Sequence, residues 1–236
     1  MRNQAMVLAM VLGISTVPAR AETNLKGLIL HQRVTIGSGA PYEETQFFSD
    51  GKSVRDDPQQ RTVVDVDAKS ITVLTKSSKM YKVARLDDVR REDEQQKASL
   101  ASLPAEARKT LGIDEPATLK PTGQTQKIAG YKAKEYAISG GGMSGTVWVT
   151  DAIDPGAGAY AWENRAGLTG GARGGPAGKL AEALAGLKGL PLRTAFTVGS
   201  GAARVTTTIE VLQVEKKALP ADILEVPRDY RATQGL

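Results

Sequence analysis

Residues 27–36 read GLILHQRVTI, with Leu28, Leu30, Val34 and Ile36 on alternate positions and His31, Arg33 and Thr35 between them. Side chains of a β-strand alternate between its two faces, so a period of two marks a half-buried strand. The same patterning recurs at 42–48, 61–67, 70–75 and 79–84, punctuated by the turn signals Asp50-Gly51, Asp57-Pro58 and Lys76-Ser77-Ser78. Such segments must bring their apolar faces together and cover them. The first half therefore reads as an antiparallel meander.

The stretch TQKIAGYKAKEYAISGGGMSGTVWVT, 125–150, alternates on both sides of a glycine run. Gly140-Gly141-Gly142-Met143-Ser144-Gly145 matches G-x-G-x-x-G, which cradles a dinucleotide when a helix follows and points its N-terminus at the pyrophosphate. Here the β-branched and aromatic TVWVT follows. That is a strand, and the glycines are read as a hairpin turn. Strands are expected at 117–128, 130–138 and 144–150, and again in LPLRTAFTV (Leu190, Leu192, Phe196 and Val198 on one face) and ARVTTTIEVLQVE (Val205, Ile209 and Val211). The tail LPADILEVPRDY reads as an edge segment that packs Ile223, Val226 and Tyr230.

Two regions break the strand pattern. Residues 86–111 are charge-rich and helix-favouring, with Pro104 placed for a first helical turn and Gly112 for a C-cap, so two short helices broken at Leu103-Pro104 are expected. Residues 151–189 are rich in Gly and Ala; helices are expected at 157–165 and 176–187, joined by a glycine link over 167–175. The strands on either side need only a turn between them, so the segment 156–187 is read as an inserted, movable cover over the apolar face of the sheet.

The N-terminus has a short positive start and an apolar run of 13, Ala5 to Val17, then PARA with small residues at Ala19 and Ala21. That is the layout of a secretory leader over 1–21, cleaved before Glu22. The run is shorter than the ~20 residues a spanning helix needs. No Cys follows it for lipid attachment, and a disulfide-free exported chain fits a bacterial periplasm. Residues 22–236 are read as a single domain. Losing Arg2 and Arg20 with the leader lowers the formal charge of +5 by two, too weak a basic surface for a nucleic-acid footprint.

The sequence offers little reactive chemistry. One His and no Cys exclude the ordinary zinc sites. His31 lies in mid-strand beside Arg33 and is read as solvent-facing rather than as a triad base. Asp65-Val66-Asp67 and Glu92-Asp93-Glu94 do not match a calcium loop. Ser49-Asp50-Gly51-Lys52 has the spacing of a Ser/Lys acyl-transfer pair, but Asp-Gly sets a turn there. GARGGPAGKL has Arg173 where a phosphate loop needs Gly, and Leu180 where it needs Ser or Thr. No catalytic residue, metal ligand or cofactor is assigned, and the chain is read as non-enzymatic.

Gly130-Tyr131, Trp148, Gly189-Leu190-Pro191 and Val226-Pro227 with Tyr230 follow one another in an order that resembles exported bacterial proteins of the LolA/LolB-like periplasmic lipoprotein-carrier superfamily. RTVVDVDAKSITVLTKSSKMYKV resembles the hairpin of the same proteins. The resemblance implies a mainly β (α+β) fold, a curved, half-open antiparallel β-barrel with helices covering the concave face. It also implies an apolar cavity for a lipid or acyl chain. Leu30, Val34, Trp148, Phe196 and Ile209, each on an alternating strand, are the expected ligand-facing residues, and Trp148, Phe196 and Ile209 are expected inside the fold. The alternative is a structural or envelope-stress interaction module that binds a protein partner and whose core is filled by its own side chains.

Overall fold

A computed structural model describes residues 25–49, 51–110, 112–153, 175–199 and 204–233. The leader, the expected helix at 157–165 and the glycine link up to residue 174 lie outside them. Twelve strands form one curved sheet: β1 Leu25–Ile36, β2 Tyr42–Ser49, β3 Lys52–Asp56, β4 Gln60–Asp65, β5 Ser70–Thr75, β6 Met80–Arg85, β7 Thr118–Ile128, β8 Tyr131–Gly140, β9 Met143–Thr150, β10 Leu190–Val198, β11 Val205–Leu219 and β12 Arg231–Ala232. Their order across the sheet is β12-β6-β5-β4-β3-β2-β1-β11-β10-β9-β8-β7, so the sheet does not close on itself. Three α-helices accompany it among the described residues: α1 Leu86–Ala101, α2 Ala105–Thr110 and α3 Pro176–Ala185. This is the expected half-open, mainly β fold with a few helices.

Local chemistry accounts for the connections. Ala129-Gly130 and Gly141-Gly142 carry positive φ at both positions (48° and 87°; 63° and 74°), and Ile128 pairs with Tyr131 as Gly140 pairs with Met143. Two-residue turns of this hand match the twist of paired strands. The glycine run is thus a hairpin turn and no phosphate loop. Ser49 and Lys52 pair across the β2–β3 turn, as Asp50-Gly51 implies. The alternation missed β3, because five residues between two turn signals offer too short a run. The reading also carried the following strand to residue 67, where β4 stops at Asp65: the Asp65 carboxylate accepts the Ala68 N–H at 2.8 Å and closes the turn.

Register places one row of side chains on a common face, because directly paired residues point the same way. Tyr136 pairs with Val147, Val147 with Thr194, Thr194 with Ile209, Ile209 with Val34, and Val34 with Tyr42. A bulge at Leu212 keeps this face in phase: His31 pairs with Gln213 and Gln32 with Val211. Helix α1 lies against Val64, Ile71 and Val73 through Leu86 and Val89. Helix α3 sets Leu180 and Leu184 on Ile138, Val147, Val149 and Phe196. Ile223, Val226 and Tyr230 pack with Val54, Val63 and Leu74, as expected for the tail. No helix among the described residues is long and apolar enough to cross a membrane.

Candidate functional site

β9 and β10 pair directly, from Met143 with Val198 to Thr150 with Leu190. The chain between them is therefore an insertion in a hairpin, and α3, within its described part, folds back over the sheet. Leu180, Ala181 and Leu184 are buried. Lys179 fixes the same helix from its side: its Nζ donates to the carbonyls of Gly112 (2.7 Å), Ile113 and Glu115 (2.5 Å). Burial pushes the Lys179 ammonium below the usual lysine range, against the raising effect of Asp114, Glu115 and Glu182. Lys97 of α1 reaches Glu182 at 2.8 Å. The cover is thus pinned by two leucines and by polar contacts to the α1–α2 region.

Beneath α3 lies a cavity of about 50 Å³. Leu180 and Leu184 form one wall; Leu30, Leu190, Leu192, Ile209 and Val211 of the sheet form the other. A third side is polar, made by Gln32, Gln46 and Arg55, with Thr194 and Arg193 at the β10 end. A larger cleft of about 370 Å³ runs between α1, the loop after α2, and α3. Four of its charges are matched in pairs, Lys97 with Glu182 and Arg108 with Asp114, and Lys179 is held by backbone carbonyls. The smaller cavity is the candidate site, because it alone of the two opens onto the apolar face of the sheet.

The five expected ligand-facing residues separate. Leu30, 1% exposed, and Ile209 line the cavity. Val34 is buried in the row beside Ile209, and Phe196 is buried against Leu180 and Leu184. Trp148 is half-buried and packs on the cluster of Leu28, Leu30 and Leu192. Phe196 is thus inside the fold as expected, whereas Trp148 and Ile209 are only partly so. A bulge at Leu192 sets Trp148 opposite the charged Arg193, and Ile209 borders the cavity. Ile36 and Val205, at the far ends of their strands, are 50% and 45% exposed and do not join the core that the alternation implied.

The polar wall was not foreseen. Gln32, Glu44 and Gln46 are 6%, 4% and 7% exposed. Gln32 Nε2 donates to Gln46 Oε1, and Gln46 Nε2 donates to Glu44 Oε1, each at 3.3 Å. Arg55 Nε lies 3.8 Å from Glu44 Oε1. The signal was available: Gln32 is in phase with Leu28, Leu30 and Val34, and Glu44 and Gln46 are in phase with Phe48. Polar residues at in-phase core positions of strands stand out against the pattern. His31, by contrast, sits on the other face, with Glu215 at 3.1 Å and Thr45 at 3.4 Å. Among the described residues no three His, Asp or Glu side chains converge on a metal-sized site.

A family model described as "Domain of unknown function (DUF4412)" matches residues 42–230. No curated protein matches the chain. Among solved structures, an uncharacterized conserved protein from Thermus thermophilus is similar at 8% identity, with 88% of this chain and 90% of that chain covered and a TM-score of 0.48. PNGF-II is similar at 14% identity and a TM-score of 0.42, over 88% of this chain but only 31% of that one. The LolA superfamily protein NE2245 from Nitrosomonas europaea is similar at 8% identity and a TM-score of 0.26, over 86% of this chain and 90% of that chain.

Proposed function

This chain belongs to the DUF4412 family, and we propose that it is an exported, non-enzymatic binding or carrier protein of the bacterial envelope. Its ligand is apolar or amphipathic and lipid-like, taken up on the concave face under α3. The observation that carries this reading is that α3 is a detachable-looking cover: ten residues, inserted between two strands that pair without it, resting on Leu180 and Leu184 over a cavity. Isolated helices of that length are marginal in water, so packing holds it in place. Burying a leucine contributes roughly 1.5–3 kcal/mol and each ligand methylene about 0.8 kcal/mol. An acyl chain of about eight carbons can therefore replace both leucines. The motif resemblance to the LolA/LolB-like carriers and the leader-like start of the chain support the same reading.

Titration of the mature protein with a fluorescent fatty-acid probe tests it, together with native mass spectrometry of material purified from the periplasm. Saturable probe binding and a co-purified lipid are expected, on a chain that starts at Glu22. Absence of both ends the carrier reading. The small size of the cavity favours a second reading, a structural or envelope-stress interaction module with a self-filled core. That module binds no probe and retains a protein partner on mild purification.

A further inference from the structure

We infer that the polar wall under α3 is a headgroup site, selective for an amphiphile whose polar end donates a hydrogen bond. This rests on the binding reading above and adds the chemistry of the ligand's head. The inference starts from polarity. An ionised carboxylate only accepts, so Glu44 Oε1 fixes the amide of Gln46 with its Nε2 toward it. Gln46 must then present Oε1 to Gln32, and Gln32 must answer with Nε2. Gln32 is left with Oε1, an acceptor, and that atom is buried without a hydrogen-bond partner.

Gln32 lines the cavity, and the residue is 6% exposed. The ladder thus runs from Glu44 across two amides and ends at one buried, unpaired acceptor on Gln32, a residue that lines the cavity with Leu30, Leu192 and Val211. Buried polar groups left unpaired are costly, so a ligand head that cannot donate is disfavoured at this acceptor, although Arg55 and Arg193 bring N–H donors to the same cavity. The matching ligand has a hydroxyl or amine head and an apolar tail that takes the place of Leu180 and Leu184. An ether or ester head of the same length leaves the acceptor unpaired. A water molecule fills the acceptor without selecting among tails.

The test is isothermal titration of the mature chain with 1-decanol and with decyl methyl ether, which share a tail and differ in the donor. The alcohol is expected to bind about ten-fold more tightly. Glu44→Gln is the companion variant, since a neutral amide lets the whole ladder reverse and present an N–H to the cavity. In that variant the preference should fall to about two-fold or less, chiefly through tighter binding of the ether. Equal affinities in the wild type overturn the headgroup site, leave the amphiphile reading standing, and assign the acceptor to water. Binding of neither compound overturns both. A ten-fold preference that persists in a folded Glu44→Gln overturns the assignment to the ladder. If that variant does not fold, the wild-type ratio alone decides.

Discussion

Leu180→Ala separates a cover that can leave the sheet from a helix that belongs to the core. Leu180 is 0% exposed and packs in one cluster with Val147, Val149, Leu184 and Phe196. Truncating such a leucine costs ~2–5 kcal/mol, a shift of about 30-fold to several thousand-fold in the ratio of docked to undocked helix. Beyond its apolar contacts, α3 resists that change, among the described residues, only through the Lys179 and Glu182 contacts to the α1–α2 region. Its N-cap is Gly175 without a side-chain hydrogen bond, and Ala181 and Leu184 are its other buried contacts. Amide hydrogen exchange is the assay, because it reads local opening separately from global unfolding. Amides of 180–185 should lose protection in the variant while those of β1 and β11 keep it, and the urea midpoint should move little. The reasoning is refuted if β1 and β11 lose protection in step with α3, which would make the helix part of one cooperative core. It is equally refuted if exchange in α3 is unchanged.

Phe196→Ala should cost ~3–5 kcal/mol in denaturant melts, and a loss under about 1 kcal/mol would mean that the β10 register is wrong. Gly145→Ala should lower the melting temperature sharply, because a Cβ there would stand 2.0 Å from the Ala195 carbonyl oxygen and 2.7 Å from Phe196 Cα; a variant that melts like wild type would contradict the pairing of Gly145 with Phe196. Lys179→Met should loosen α3 and tighten fatty-acid probe binding severalfold, since the helix loses three carbonyl contacts; unchanged binding would show that the lysine does not restrain the cover. Burial pushes the Asp65 carboxyl up, but the Ala68 N–H and Lys52 outweigh it and hold the group below its usual range. A depressed carboxyl contributes stability that is present above its unfolded pKa of ~3.9 and is lost as pH falls through the folded value. Asp65→Asn should therefore be less stable than wild type at pH 6, and the gap should narrow toward pH 2; a constant gap would show that the charge is irrelevant.

Much of the fold was legible because a half-covered antiparallel sheet writes itself into sequence twice, as alternation and as turn chemistry. Leu28, Leu30 and Val34 alternate, and Ala129-Gly130 and Gly141-Gly142 fix the hairpins on either side of β8. The misses have the same physical origin. Strand β3, SVR between Lys52 and Asp56, buries Ser53 and Val54 side by side, with no alternation to read. Ile36 and Val205 carry the right pattern at the ends of their strands, yet burial depends on what covers a face as well as on the face itself. Pairing across the β9–β10 hairpin was readable as spacing, and it was this that made 151–189 recognisable as an insertion.

The site was harder to read, since a search for chemistry looks for reactive residues and the cavity has none of the usual kind. Leu30 and Ile209 follow from the apolar pattern, but pattern alone cannot say which of many apolar residues lies under α3. Gln32, Glu44, Gln46 and Arg55 pass as ordinary polar residues in strands, although three of them are in phase with the core. Three buried amide and carboxylate groups on an otherwise apolar face gain little for folding, because each hydrogen bond they make only replaces one to water. An apolar face of the same shape would be at least as stable. Their cost is easiest to understand if the wall serves recognition, and it predicts that Gln32→Leu, made together with Glu44→Leu, Gln46→Leu and Arg55→Met so that no buried charge loses its partner, folds as stably as wild type in urea and loses the discrimination between 1-decanol and its methyl ether. A quadruple variant that is clearly less stable would show instead that the ladder is there to hold β1, β2 and β3 in register.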